Sequence, residues 1–156
     1  MDLLNEDFLQ FFACAKNNKL RYLMIGGYAV NFHGYNRNTQ DLDIWLAPTN
    51  ENKIAFVNTL VCMGYSNEEV NSLKEEDFTQ PFIANIGSPN APMDFLTVVH
   101  HLISFDKAEN EKSIFNLNND TEVSLVSYDF LIEIKLKAMR PKDFFDIEQL
   151  NKLRKK

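Results

Sequence analysis

The chain has 156 residues, 45% hydrophobic and 24% charged, with 13 Phe, 2 Cys and a formal charge of −6. This mixture predicts one ordinary globular domain over residues 1–156. A pI near 5.0 argues against a protein that coats long duplex nucleic acid, which needs a basic face to displace counterions. No run approaches the ~18 apolar residues of a membrane span, and MDLLNEDFLQFF at the start is acidic where a signal peptide is basic, so a cytoplasmic protein is expected.

In chain order, Leu3, Leu4, Phe8, Phe11, Phe12 and Ala15 recur at helical spacing and predict a helix over 2–16. Arg21–Ile25 is a short apolar run that stops at Gly26-Gly27, which suits a buried strand entering a tight turn. A short helix over Tyr28–His33 and a polar segment to Gln40 follow, then the alternating strand Asp41–Leu46. Pro48–Met63 reads as a helix with Ile54, Phe56, Val57, Leu60 and Val61 inward. Pro81–Ile86 and Met93–Val99 are strands around the turn-forming GSPNAP, and Ser113–Leu117 pairs with Thr121–Leu125 as a hairpin. Ser127 opens a helix to about Met139, and Pro141 opens another to about Leu153, with Phe144-Phe145 in its core. Mixed helices and strands in one short chain predict an α/β (α+β) fold, a small mixed sheet with the helices of 127–153 packed on it.

Charge is unevenly placed. Residues 127–156 hold eight Lys/Arg against five Asp/Glu, and residues 1–126 hold eight against seventeen. The basic end is either a solvated helical face or a surface for an anion that the acidic body also handles. Cys14 and Cys62 lie far apart without metal-ligand spacing, and read as reduced core thiols. His33, His100 and His101 also lack ligand spacing and read as structural, the adjacent pair pointing to opposite faces of a strand.

Asp41 and Asp43 stand two apart on a predicted strand, so both carboxylates point to one side of the sheet. Like charges this close repel unless a cation lies between them, and Mg²⁺ takes oxygen ligands while keeping positions open for water and phosphate. Asp94 begins the apolar strand MDFLTVV. If that strand lies beside the first, three carboxylates can hold two metals about 3.5–4 Å apart, as in-line phosphoryl displacement requires. A lone DxD is ordinarily a solvated strand face, and Asp94 after Pro92 can simply cap a turn. The pattern narrows upstream: glycines between a strand and a helix let backbone N–H groups approach a phosphate, and Gly26-Gly27 stands fifteen residues before Asp41.

Gly26–Leu46, GGYAVNFHGYNRNTQDLDIWL, resembles the signature of the nucleotidyltransferase superfamily of DNA polymerase beta: a GG or GS turn, a short helix, then Arg-x-Thr-x-Asp-x-Asp. The match runs through Gly26, Gly27, Arg37, Thr39, Asp41 and Asp43, and Asp94 stands where that family has its third carboxylate. Lys135, Arg140, Lys142, Asp143 and Asp146 are similar to the C-terminal pattern of the small bacterial branch related to abortive-infection toxins of the AbiEii type. The resemblance covers roughly residues 20–150. Many members have Ser as the second turn residue; here Gly27 removes a phosphate-binding hydroxyl. The chain is little more than a catalytic palm, without DNA-gripping domains.

The resemblance implies transfer of a nucleoside monophosphate from an NTP to an acceptor, with pyrophosphate released. Asp41, Asp43 and Asp94 would hold Mg²⁺ or Mn²⁺, and Asp94 would assist deprotonation of the acceptor. Gly26 and Gly27 would cradle the phosphates and Lys135 would neutralise their charge. Arg37 and Thr39 would shape the loop, while Lys142, Asp143 and Asp146 suit an ion-pair network between the last two helices as well as a catalytic role. The acceptor stays open among a small molecule, a tRNA end and a protein. The enzyme reading includes a toxin or a modifying enzyme; a non-catalytic binding or antitoxin module and a metal-dependent hydrolase are competing readings, the last without a visible nucleophile or general-acid pair.

Overall fold

The computed structural model describes Leu3 and residues 5–154; the Leu4 position of the expected first helix and the final Lys-Lys fall outside them. The order is α1 (Glu6–Asn17), β1 (Tyr22–Ile25), α2 (Gly26–Phe32), β2 (Leu42–Leu46), α3 (Asn50–Cys62), α4 (Asn67–Val70), a 3-10 turn (Asn71–Glu75), β3 (Ile83–Ile86), β4 (Met93–Leu96), α5 (Phe105–Asn110), β5 (Ser113–Asn118), β6 (Thr121–Leu125), α6 (Tyr128–Ala138) and α7 (Pro141–Arg154). The strands form one mixed sheet in the order β3-β4-β2-β1-β6-β5. β2 runs antiparallel to β1 and parallel to β4. Among the described residues no helix is long and apolar enough to cross a membrane.

Period-two alternation gives the sheet two different faces. Ile44 and Phe95 are register partners and share one face, with Met24 opposite Ile44 on β1. α1 and α3 cover this face: Phe95 meets Phe11 at 5.5 Å and Phe56 at 4.8 Å between ring centroids. On the other face Trp45 lies under Phe105 of α5, centroids 5.2 Å apart, and its indole N–H donates to the Thr97 carbonyl at 3.1 Å.

The helices begin where capping side chains allow. Asn5, Thr49 and Ser127 accept from the backbone N–H groups of Asp7, Asn52 and Phe130, satisfying donors that the first turn leaves open. The sequence reading missed α4 and α5, both too short for a helical period. α4 nevertheless carries a legible signal, the reciprocal capping box of Ser66 and Glu69.

Several expectations change. Cys14 and Cys62 are not free thiols: they form a disulfide joining α1 to the end of α3, with Cα atoms 5.7 Å apart. Distance along the chain says nothing about distance in the fold, and these two helices pack side by side. On α3, Phe56, Val57 and Leu60 are buried but Ile54 is 62% exposed and Val61 is also exposed, while the polar Asn52 and Thr59 turn inward. Asn52 earns its place by binding the backbone of Arg21 and Ala47. Phe144 and Phe145 are about half exposed, at 47% and 51%; the inward residues of α7 are Asp143, Asp146 and Leu150. β4 ends at Leu96, so His100 and His101 are not on a strand; their rings stack at 4.4 Å instead of pointing apart.

Candidate active site

β1, β2 and β4 bring the glycine turn and two aspartates together. Asp43 is the register partner of Ile25 on one side and of Asp94 on the other. Asp43 and Asp94 therefore lie side by side on the same face, opposite the face that α1 and α3 cover. Asp41 stands just before β2 and is exposed. Its charge reaches Asp43, but among the described residues no three His, Cys, Asp or Glu side chains are gathered closely enough to form a ready metal seat. The close pair is Asp43 and Asp94, with Asp41 on the approach. Asn85, register partner of Asp94 on β3, donates its amide to the Asp94 carboxylate; the sequence alone gave no sign of it.

Burial, then the charge and hydrogen bond of Asp94 and the charge of Asp41, push the Asp43 carboxyl up to about 7. The charge of Lys142 acts in the opposite direction. Asp43 thus pays a free-energy penalty for ionising that a cation beside it would relieve. The donor set is oxygen only and partly open, which fits Mg²⁺ or Mn²⁺ rather than a soft metal.

Gly26 follows β1 directly and has φ +72. A Cβ there would lie 2.1 Å from Oδ2 of Asp43, so any side chain would displace the carboxylate. Gly27 is equally confined: a Cβ would come within 2.4 Å of Thr39 Oγ1 and 3.4 Å of Arg37 Nη2. The Thr39 side chain fills the space beside Gly27.

Arg37, Lys135, Arg140, Asp143 and Asp146 form a mixed-charge network beside this turn. Arg37 Nε lies 3.1 Å from Asp146, and Lys135 Nζ lies 3.0 Å from Asp146 and 3.4 Å from Asp143. Arg140 clamps Asp143 with its Nε at 2.7 Å, its Nη2 at 3.1 Å and its backbone N–H at 3.2 Å. Lys135 is 4% and Asp146 1% exposed. Burial alone would raise the Asp143 carboxyl, but the Arg140 bonds and the Lys135 and Arg140 charges hold it below the usual range. Lys135, expected to face phosphate, thus has its ammonium between two carboxylates. Lys142 is exposed, carries no ion pair among the described residues, and stands within electrostatic reach of Asp43.

No protein-family model and no curated protein sequence matches the chain. Among solved structures it is similar to a lincosamide antibiotic adenylyltransferase, LnuA, determined with lincomycin bound, at a TM-score of 0.52 and 14% identity over 94% of this chain and 96% of that one. With a six-stranded mixed sheet and seven α-helices among the described residues, the chain has a nucleotidyltransferase-like fold.

Proposed function

We propose that this chain is a metal-dependent nucleotidyltransferase that moves a nucleoside monophosphate from an NTP to an acceptor hydroxyl and releases pyrophosphate. The observation that carries the reading is the pairing of Asp43 with Asp94 across β2 and β4, against the Gly26 turn. Asp43 and Asp94, with Asp41 at the rim, would hold Mg²⁺ or Mn²⁺, which when bound offsets the charge of the triphosphate and of the aspartates. Gly26 and Gly27 let the triphosphate approach the backbone closely. Lys142 supplies an exposed ammonium for phosphate charge, and Lys135 acts through Asp146, which pairs with Arg37 and so holds the Arg37–Thr39 loop beneath Gly27.

The acceptor oxygen forms a bond to the α-phosphorus, and the α–β phosphoanhydride bond breaks as pyrophosphate leaves. Asp94, oriented by Asn85, takes the acceptor proton. Residues 1–156 would work as one catalytic unit. The similarity to an adenylyltransferase makes ATP the first donor to test. The similarity of the C-terminal segment to AbiEii-type proteins keeps a toxin role, or an antitoxin partner, within this proposal.

The test is mass spectrometry after incubation with ATP, other NTPs, Mg²⁺ and candidate acceptors, including the protein itself, alongside thermal melting. Nucleotide and metal together should stabilise the chain. If no NTP with Mg²⁺ or Mn²⁺ at millimolar concentration moves the melting point, a non-catalytic binding or antitoxin module is the better reading.

A further inference from the structure

The face of the sheet that carries Asp43 is roofed on one side and open on the other. Over β1 and β2 it is covered: Leu23, Ile25 and Trp45 are buried. Over β4 and β3 it is bare. Alternation and the Asn85–Asp94 and Ile83–Leu96 register place Asp94, Leu96, Asn85 and Ile83 on it together. Ile83 is 74% exposed and Leu96 is only partly covered. Two residues beyond Leu96 and two before Ile83, Val98 and Pro81 enter the wall of a cavity of about 470 Å³ that Trp45, Phe105, His100 and His101 also line. An apolar shelf of Leu96 and Ile83 therefore leads from Asp94 to the end of β4, and Val98 and Pro81 beyond it belong to the wall of the aromatic-lined cavity.

The charges around this shelf exclude one class of occupant. The cavity wall contains Asp106 and no Lys or Arg; Arg21, just behind it, pairs with Asp106 at 3.0 Å and lies over the Phe105 ring at 5.6 Å. The charge of Lys137 reaches His100, but its side chain does not line the cavity. His100 accepts the Leu102 N–H at Nδ1, 3.1 Å away. The nearby Arg21 is already engaged by Asp106 and, at 2.8 Å, by Glu109, so a chain of phosphates finds no unpaired cation in the cavity wall. A contiguous exposed apolar surface leading from a reactive carboxylate into a cavity suits an amphipathic ligand.

We infer that the shelf and cavity are the acceptor subsite, and that the acceptor is a small amphipathic molecule without negative charge that presents a hydroxyl to Asp94 and lays its apolar body over Ile83, Leu96 and Val98. Naming it an acceptor rests on the nucleotidyl-transfer reading; its binding does not. Transfer needs no further reactant, since the acceptor supplies the oxygen and the proton and the NTP supplies the phosphoryl group and the leaving pyrophosphate.

The experiment is chemical-shift mapping of the full chain, without nucleotide, using three probes: lincomycin, octyl glucoside below its micelle concentration, and a short single-stranded RNA with a free 3′-hydroxyl. At least one of the first two should move the backbone signals of Ile83, Leu96, Val98 and His100, and the RNA should not. Val98→Lys, a change at an exposed position, should weaken that binding at least tenfold and leave the ATP–Mg²⁺ melting shift as in the parent chain. The inference is overturned if neither small molecule moves the shelf signals, if RNA binds there more tightly, or if Val98→Lys binds as the parent does. Should the shelf bind its probe while ATP and Mg²⁺ leave the melting point unmoved, the subsite stands and the nucleotidyl-transfer reading fails.

Discussion

The chain gathers charge in two places, and treats it in opposite ways. At the α6–α7 corner, Arg37, Lys135 and Arg140 face Asp143 and Asp146, and every buried charge has a partner within 3.4 Å. Across β2 and β4, Asp43 and Asp94 stand together with Asp41 nearby, and the charges of Lys142 and Arg140 reach Asp43 without an ion pair to it among the described residues. The first arrangement is self-sufficient and holds two helices to the loop before β2. The second is incomplete as protein alone. A fold keeps like charges together on a half-open face at a cost in stability, and under the function proposed above a bound cation would supply the missing charge.

The largest expected effect lies in the balanced network. Asp146→Ala leaves Lys135 and Arg37 without a shared carboxylate in a buried site, and should cost about 3–5 kcal/mol in denaturant unfolding. A loss under about 1 kcal/mol would mean that solvent reaches the network and that the contrast drawn here is false.

Asp43→Asn should behave in the opposite sense. It should cut nucleotidyl transfer by at least about a hundredfold while stabilising the metal-free chain at pH 8, by up to roughly 3 kcal/mol for a carboxyl displaced by several pH units. The sign follows from linkage: a carboxyl raised to about 7 holds its proton longer when folded, so it takes stability away as pH rises from about 4 through 7. Asp143, held low, contributes stability that is present above the ordinary carboxylate range and lost as pH falls through its folded value. Stability against pH should therefore fall at both ends for different reasons, and Asp43→Asn should flatten the neutral side alone.

ATP with Mg²⁺ at a hundredfold excess over Kd should stabilise the chain by about 2.7 kcal/mol, a rise of roughly 5–10 °C in Tm for a chain of this size. Neither component alone should suffice. Lys142→Ala should reduce that shift, whereas Lys152→Ala, on the far part of α7 and paired with Glu148 at 3.2 Å, should leave it as it was. Equal shifts in both variants would remove Lys142 from the phosphate site.

The smallest effect is expected at Asp41. It is exposed, so Asp41→Asn should change stability by no more than about 0.5 kcal/mol. A loss above about 2 kcal/mol would make it a buried structural partner rather than a rim group.

The pattern of glycine turn, helix and alternating aspartates was legible in the sequence because each step is local. Period two sets which way Asp43 points, and a run ending in two glycines sets where β1 stops. The C-terminal pattern of Lys135, Asp143 and Asp146 was also visible, and so was an ion-pair role for the two aspartates between α6 and α7, but not that Lys135 rather than Lys142 is their partner. Whether a lysine faces phosphate or a carboxylate depends on which helix face lies inward, and α7 turns its aspartates in and Phe144 and Phe145 out. A hydrophobicity pattern points the other way. The same failure placed Ile54 inside.

The sequence by itself determined the order of the longer elements and the face of β2 to which Asp43 points, since these follow from backbone geometry over a few residues. Tertiary structure alone decided the rest. Parallel pairing of β2 with β4, in one particular register, set Asp94 beside Asp43 and Asn85 beside Asp94. The packing of α1 on α3 joined Cys14 to Cys62 across 48 residues. Partial roofing of the sheet left the shelf from Ile83 to Val98 open. Each of these depends on how distant segments meet, and a register shifted by one residue would turn Asp94 to the opposite face and dissolve the site.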